Sequence, residues 1–155
     1  IVKITFFCYF MQKNTQSISV CFEECFYKIF IRIIVAHLIH RKGVRPNLRI
    51  VNFSQSTLNS SFLNGAKLMV CDFTAVNAEN LTAQDVDFTG SMFEGAHLNS
   101  SRMQKSRFNF CNLSVASFKE CDLSESQIAF TKLDYVNFSS ATMHQSRFLA
   151  FRVND

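Results

Sequence analysis

From Leu48 onward every fifth residue is apolar and, at all but two positions, large, and the spacing never slips. The series runs Leu48, Phe53, Leu58, Leu63, Leu68, Phe73 and on to Val153, and 16 of its 22 members are Leu or Phe. Two residues ahead of it runs a second series, Pro46, Val51, Ser56 and on to Phe151, in which 15 of 22 members are Ala, Ser, Cys or Thr. The remaining three positions of each five are largely polar, with Asn, Asp and Arg prominent just before the large residue. A helix has an apolar period of about 3.6 and a strand one of about 2, so neither sustains a period of five over this length. A coil does, if each five-residue unit forms one side and then turns a corner. The small and the large residue, two apart, then point inward together, as an extended backbone requires. Four such sides close a square, which stacks residues 20 apart at one strand spacing, ~4.8 Å.

The triplets Cys71-Asp72-Phe73, Cys111-Asn112-Leu113, Cys121-Asp122-Leu123 and Val136-Asn137-Phe138 carry this pattern most clearly, and through them the chain resembles the pentapeptide-repeat family. The resemblance covers residues 44–155. It implies an all-β fold, a right-handed quadrilateral β-helix of 22/4 = 5.5 coils, about 26 Å tall at that strand spacing. Stacking at 20 residues sets up interior ladders, one of them Phe53, Phe73, Phe93, Leu113, Leu133, Val153. Ala78 and Ala83 break the large-residue rule, and each follows a bulky small-slot residue, Val76 or Leu81, so the two inward slots exchange volume. Cys71 and Cys111 lie two coils apart, roughly 10 Å along the axis and beyond disulfide reach, and Cys121 faces another side. All three are expected as free thiols filling small inward slots.

Residues 1–43 read as a separate apolar and basic segment. Within it, residues 19–42 suit an amphipathic helix, with Phe22, Cys25, Phe26, Ile29, Phe30, Ile33 and Ile34 recurring at three and four, and Gly43 as its stop. A β-helix end exposes core and unpaired edges, so the expectation is a helix that caps it. The Lys28, Arg32, Arg41 and Lys42 side chains among aromatics leave a membrane-surface role as the lesser alternative. The charges in Phe22 to Ile39 disfavour a transmembrane helix. The chain opens on Ile1 rather than Met, and it reads as a fragment or as a chain whose start is Met11.

Chemistry is harder to find. The six cysteines form no CxxC pair and lack histidines at zinc-ligand spacing, so no metal or other cofactor is expected, and a reducing cytoplasm is the default compartment. His97 and His144 project outward on different sides, His37 and His40 precede the repeats, and Asp85 with Asp87 are ordinary outward positions. No phosphate-binding, zinc-protease or serine-hydrolase motif is present, and the chain is read as a non-enzyme. Residues 44–155 carry ten basic and ten acidic side chains. That neutral sum argues against direct nucleic-acid binding. Lys67, Asp87 and Arg107 stack on one side and Arg102 over Asp122 on another, which is expected to help fix register.

One outward corner is apolar: Ile50, Val70, Gly90, Phe110, Phe130 and Ala150, with Met69, Ala129 and Leu149 beside it. Two other corners are polar. A contiguous apolar ridge marks a contact surface, so Ile50, Met69, Val70, Phe110, Phe130 and Leu149 are the candidate partner-binding residues, the partner being another protein or a second copy in a dimer. The leading expectation is a non-catalytic bacterial protein–protein interaction scaffold. The resemblance also implies two alternatives. One is a DNA-mimicking topoisomerase-binding protein like the quinolone-resistance members, which occupy the gyrase saddle with a strongly acidic rod. The other is a repeat module of a larger secreted bacterial effector.

Overall fold

The computed structural model describes residues 18, 19, 45 and 47–149, and within 47–149 every five-residue unit follows one plan. The residue just before each large apolar one makes a parallel β-bridge to its counterpart 20 residues on, from Asn47 with Lys67 through to Asp122 with Thr142. Four bridging positions pass before the chain returns over itself, so the coil has four sides. Three backbone hydrogen bonds tie each unit to the next coil. In the unit at 52–55, Asp72 N–H donates to the Val51 carbonyl at 2.9 Å, Phe53 N–H to Asp72 at 2.6 Å and Gln55 N–H to Thr74 at 2.9 Å.

Most bridges are one residue wide. The longer extended pieces are β1 (Ile18–Ser19), β2 (Leu48–Arg49), β3 (Gln127–Ala129) and β4 (Arg147–Leu149). Strands β3 and β4 keep the common register, with Ile128 opposite Phe148. Strands β1 and β2 are also parallel, but Ile18 lies opposite Leu48, a step of 30 residues rather than 20. Since the next coil already occupies one edge of β2, β1 takes the other. Ser19, the first residue of the expected capping helix, is therefore extended; the remainder of that helix, 20–42, lies outside the described residues.

Both inward series are buried without a break from Leu48 to Thr131, including the compensating pairs Val76 with Ala78 and Leu81 with Ala83. Phe53, Phe73 and Phe93 form a face-to-face ladder with ring centroids 4.8 and 4.7 Å apart, which matches the strand spacing. Phe88 and Phe108, stacked at 5.1 Å, form a second ladder whose edges meet the faces of the first at 5.2 to 5.8 Å. Such pairs contribute about 0.5–1.5 kcal/mol each beyond their burial, so the Phe-rich composition is spent on the axis of the coil. After Thr131 the core opens: Leu133, Val136, Phe138 and Met143 are only partly buried, and Phe148 is exposed.

Every fifth residue from Ile50 to Gln145 has a positive φ, between 51° and 75°, and only three of these corner residues are glycine. The residue after the corner often donates its N–H back three residues, as Ser56 does to Phe53 at 3.1 Å, which is the pattern of a type II turn. Where that bond is missing, a small inward residue from the next coil replaces it. The Ser101 hydroxyl donates to the Ala78 carbonyl at 3.0 Å and accepts from Leu81 N–H at 2.9 Å, so it sits inside the corner. Ser91 and Ser106 do the same at the corners after Leu68 and Ala83. The preference for Ser in the small slot thus has a second cause besides volume: buried backbone groups need partners. Asn and Asp before the large residue have a cause too. The Oδ1 atoms of Asn52, Asp72, Asp87, Asn112, Asp122 and Asn137 each accept from the N–H two residues on, at 2.8 to 3.1 Å, an Asx turn that leads into the corner.

Candidate interaction surface

Corner residues face solvent because both inward slots are already taken. The corner column Ile50, Val70, Gly90, Phe110, Phe130 runs parallel to the coil axis. Ile50 is 70% exposed, Phe110 63% and Phe130 42%, and Val70 and Leu149 are exposed as well. Phe110 and Phe130 stack on each other with centroids 5.1 Å apart and planes 13° apart. Of the remaining candidate residues, Met69 is half-buried, and Ala129 beside the ridge is buried. The fold therefore brings Ile50, Val70, Phe110 and Phe130 into one column, with Leu149 one rung above Ala129.

A second column escaped the sequence reading. The next corner along the chain reads Gln55, Ala75, Gly95, Val115, Tyr135, and its Val115 is exposed while Tyr135 is 91% exposed. The side between the two corners carries exposed Met92. All nine exposed large apolar residues among those described lie on these two corners, on the side between them, or at Phe148 and Leu149. Adding five to each ridge position would have exposed this column in the sequence alone.

The charges behave less as expected. Lys67, Asp87 and Arg107 are bridge neighbours, as are Arg102 and Asp122, yet no ion pair forms within either set among the described residues. Asp87 instead accepts from the N–H and hydroxyl of Thr89, because a local Asx turn is always within reach whereas a long basic side chain must be ordered first. Burial pushes the Asp122 carboxyl up, but hydrogen bonds from Ser124 and Gln104 and the Arg102 charge outweigh it and leave it below the ordinary value. The ion pairs that do form, Lys105 with Glu125 at 3.7 Å, Lys119 with Glu120 at 3.4 Å and Lys132 with Asp134 at 3.3 Å, are exposed.

Cys71, Cys111 and Cys121 are buried free thiols in the small inward slot. Burial pushes Cys71 and Cys121 up to about 11 and Cys111 up to about 12, so all three stay protonated at neutral pH and supply no thiolate. Each thiol lies against a corner carbonyl of the preceding coil, Cys121 against Leu98 at 2.8 Å, in the place that Ser101 fills for Ala78. His97 and His144 are exposed, and no group of three metal-binding side chains occurs among the described residues. No described helix is long and apolar enough to cross a membrane.

Comparison with known proteins follows the same lines. A family model described as pentapeptide repeats matches in eight copies over residues 71–109, 84–119 and 110–148. Curated proteins yield no match. Among solved structures, a pentapeptide repeat protein, Rfr23, from the cyanobacterium Cyanothece 51142 is similar with a TM-score of 0.53 at 17% identity, over 66% of this chain and 80% of that one. A pentapeptide repeat protein from the Arabidopsis thaliana thylakoid lumen is similar at 16% identity over 60% of this chain and 63% of its own, with a TM-score of 0.40. QnrB1, a plasmid-mediated fluoroquinolone resistance protein, is similar at 16% identity over 65% of this chain and 61% of its own, with a TM-score of 0.37.

Proposed function

The chain belongs to the pentapeptide-repeat family, whose members fold as right-handed quadrilateral β-helices, and from that premise we propose that it is a non-catalytic scaffold whose apolar corner docks another protein. One observation carries the reading: Phe110 and Phe130 stack in solvent at a corner that requires nothing bulky. Elsewhere the same backbone position is filled by Ser60, Asn80, Asp85, Ser100 or Glu120, residues that keep a corner wet. Large aromatic area left exposed on a rigid rod is the composition of an interface core. The topoisomerase-mimic alternative has less support, because it draws on a strongly acidic rod and the described coils hold eight basic and nine acidic residues. Buried, protonated thiols suit a reducing compartment, which keeps the cytoplasm as the proposed location.

The test is the double substitution Phe110→Ser with Phe130→Ser, compared with the parent by sedimentation velocity and by affinity capture from the native host. Both side chains are exposed, so the coil is expected to fold unchanged while self-association or a specific captured partner is lost. An unchanged oligomeric state together with an unchanged set of partners refutes the docking role.

A further inference from the structure

Resting on the corner as a docking surface, the placement of charge says what docks there. The near-neutral sum over the described coils conceals two different surfaces. The side that runs into the apolar corner carries Arg49, Lys67, Arg107 and Arg147 against Asp87 alone, 4 − 1 = +3. The other three sides share the remaining four basic and eight acidic residues, 4 − 8 = −4. All three ion pairs among the described residues lie on those other sides, so none of the four cations on the ridge side is neutralised in that way. The one acid among them has an oxygen already occupied by Thr89.

Each of these cations lies within three residues of the ridge, at most ~10 Å along the backbone, and coils rise by ~4.8 Å. A cationic stripe and an apolar ridge therefore run side by side along the axis. The ridge is also notched. Gly90 puts no side chain between Val70 and Phe110, which are two rungs or ~10 Å apart. A Cβ at Gly90 would meet Val70 Cγ2 at 3.4 Å, an ordinary contact, so a side chain would be tolerated there and its absence lowers the ridge at that rung without relieving a clash.

We propose that the ridge side binds an acidic, amphipathic segment of another protein, laid along the coil axis. Its apolar side chains pack on Val70, Phe110 and Phe130 with one seated over Gly90, and its carboxylates face Lys67, Arg107 and Arg147. Roughly six extended residues span the ~19 Å from Ile50 to Phe130. Complementary charge gives such a contact its register and encounter rate, and the aromatics give it affinity. A nucleic-acid duplex would use the cations and leave the aromatic stack without a counterpart, whereas a single strand would stack bases there and is therefore a competitor to test. A second copy is the competing occupant, because its side bearing Asp72, Glu94 and Asp134 also exposes Met92, Val115 and Tyr135.

A display library of random peptides of about ten residues, selected on the parent, on Arg107→Glu with Arg147→Glu, and on Phe110→Ser with Phe130→Ser, tests this directly. The parent is expected to enrich peptides that combine Asp or Glu with Phe, Leu or Ile. The charge-reversed variant is expected to lose that acidic preference and to bind the parent's peptides at least about tenfold more weakly. The serine variant is expected to enrich nothing. Neutral or basic peptides enriched on the parent, or an acidic preference that survives charge reversal, overturns the acidic partner while leaving the corner as a docking site. Enrichment on the serine variant equal to the parent's, or none on the parent, overturns both. Tighter binding to phosphatidylserine vesicles, to a short DNA duplex or to a single-stranded oligonucleotide through the same arginines, measured alongside, overturns the peptide assignment. Self-association of the parent in sedimentation velocity that both sets of variants abolish overturns the assignment to another protein.

Discussion

Ser101 and Ser126 fill the same inward slot five units apart, and both are fully buried, yet removing their hydroxyls is expected to act in opposite directions. Ser101 is inserted in the corner between Ala78 and Leu81 and satisfies one carbonyl and one N–H there. Ser101→Ala orphans both groups, each at about 1–3 kcal/mol, for a total of about 2–6 kcal/mol. For a domain near one hundred residues, at about 4–8 °C per kcal/mol, this corresponds to a fall in melting temperature of roughly 10–50 °C. Ser126 is different because the corner it faces in the preceding coil is already closed by Ser106 N–H on the Met103 carbonyl at 3.3 Å, and its hydroxyl has no partner. Ser126→Ala removes a buried orphan and is expected to be neutral or to stabilise by up to about 1 kcal/mol. Urea denaturation followed by far-UV circular dichroism reads both variants against the parent. Equal destabilisation by the two would refute the corner-bridging role and leave only slot volume as the reason for serine.

Two further outcomes follow from the corners and the thiols. Val115 is β-branched, exposed and held at φ 60°, so Val115→Asn is expected to stabilise the coil by about 0.5–1 kcal/mol by relieving left-handed strain; a loss of stability in the same urea titration would contradict this. In a background where Cys8, Cys21 and Cys25 are Ser, the three buried thiols are expected to resist a thiol reagent at pH 8 until the coil is unfolded. Because their folded values are raised from 9.0 to about 11 or 12, their effect on stability is absent below pH 9. Above it the unfolded chain ionises first, so stability falls as pH rises toward 11 to 12. Replacing all three by Ala should flatten that fall, and an unchanged slope would rule out the thiols as its cause.

The inward half of this molecule was legible because packing repeats. Leu48 to Thr131 alternates large and small at a fixed step, and no other element type tolerates that step, so register, ladder partners and the fate of Cys71, Cys111 and Cys121 all followed from counting. What did not follow from counting was hydrogen bonding across coils. Ser101 and Ser126 are indistinguishable as letters, and only the geometry shows that one bridges a corner and the other does not. The ion pairs expected between stacked Lys67, Asp87 and Arg107 failed for a related reason: register fixes which backbones are neighbours, but an aspartate two residues from an N–H satisfies itself locally. Strand β1 was out of reach because the five-residue period has not begun at Ile18, so its 30-residue step to Leu48 leaves no mark in the repeat.

Where function can be written on such a rod is itself constrained. The two inward slots answer to the core, and the residue between them answers to the Asx turn and the bridge. The corner is the one position whose backbone is rigidly prescribed while its side chain is left undirected. Selection for the fold alone favours Gly, Asn, Ser or Asp there, since these reach positive φ at least cost. Ile50, Val70, Phe110 and Phe130 cost more in strain and expose apolar area, and they gather on one corner beside the one side of the described coils that carries a net positive charge. A drift of random substitutions would scatter such residues over four corners. With Val115 and Tyr135 they occupy two adjacent corners and leave the other two polar, and the four that border the cationic side are what a partner that reads both features would require.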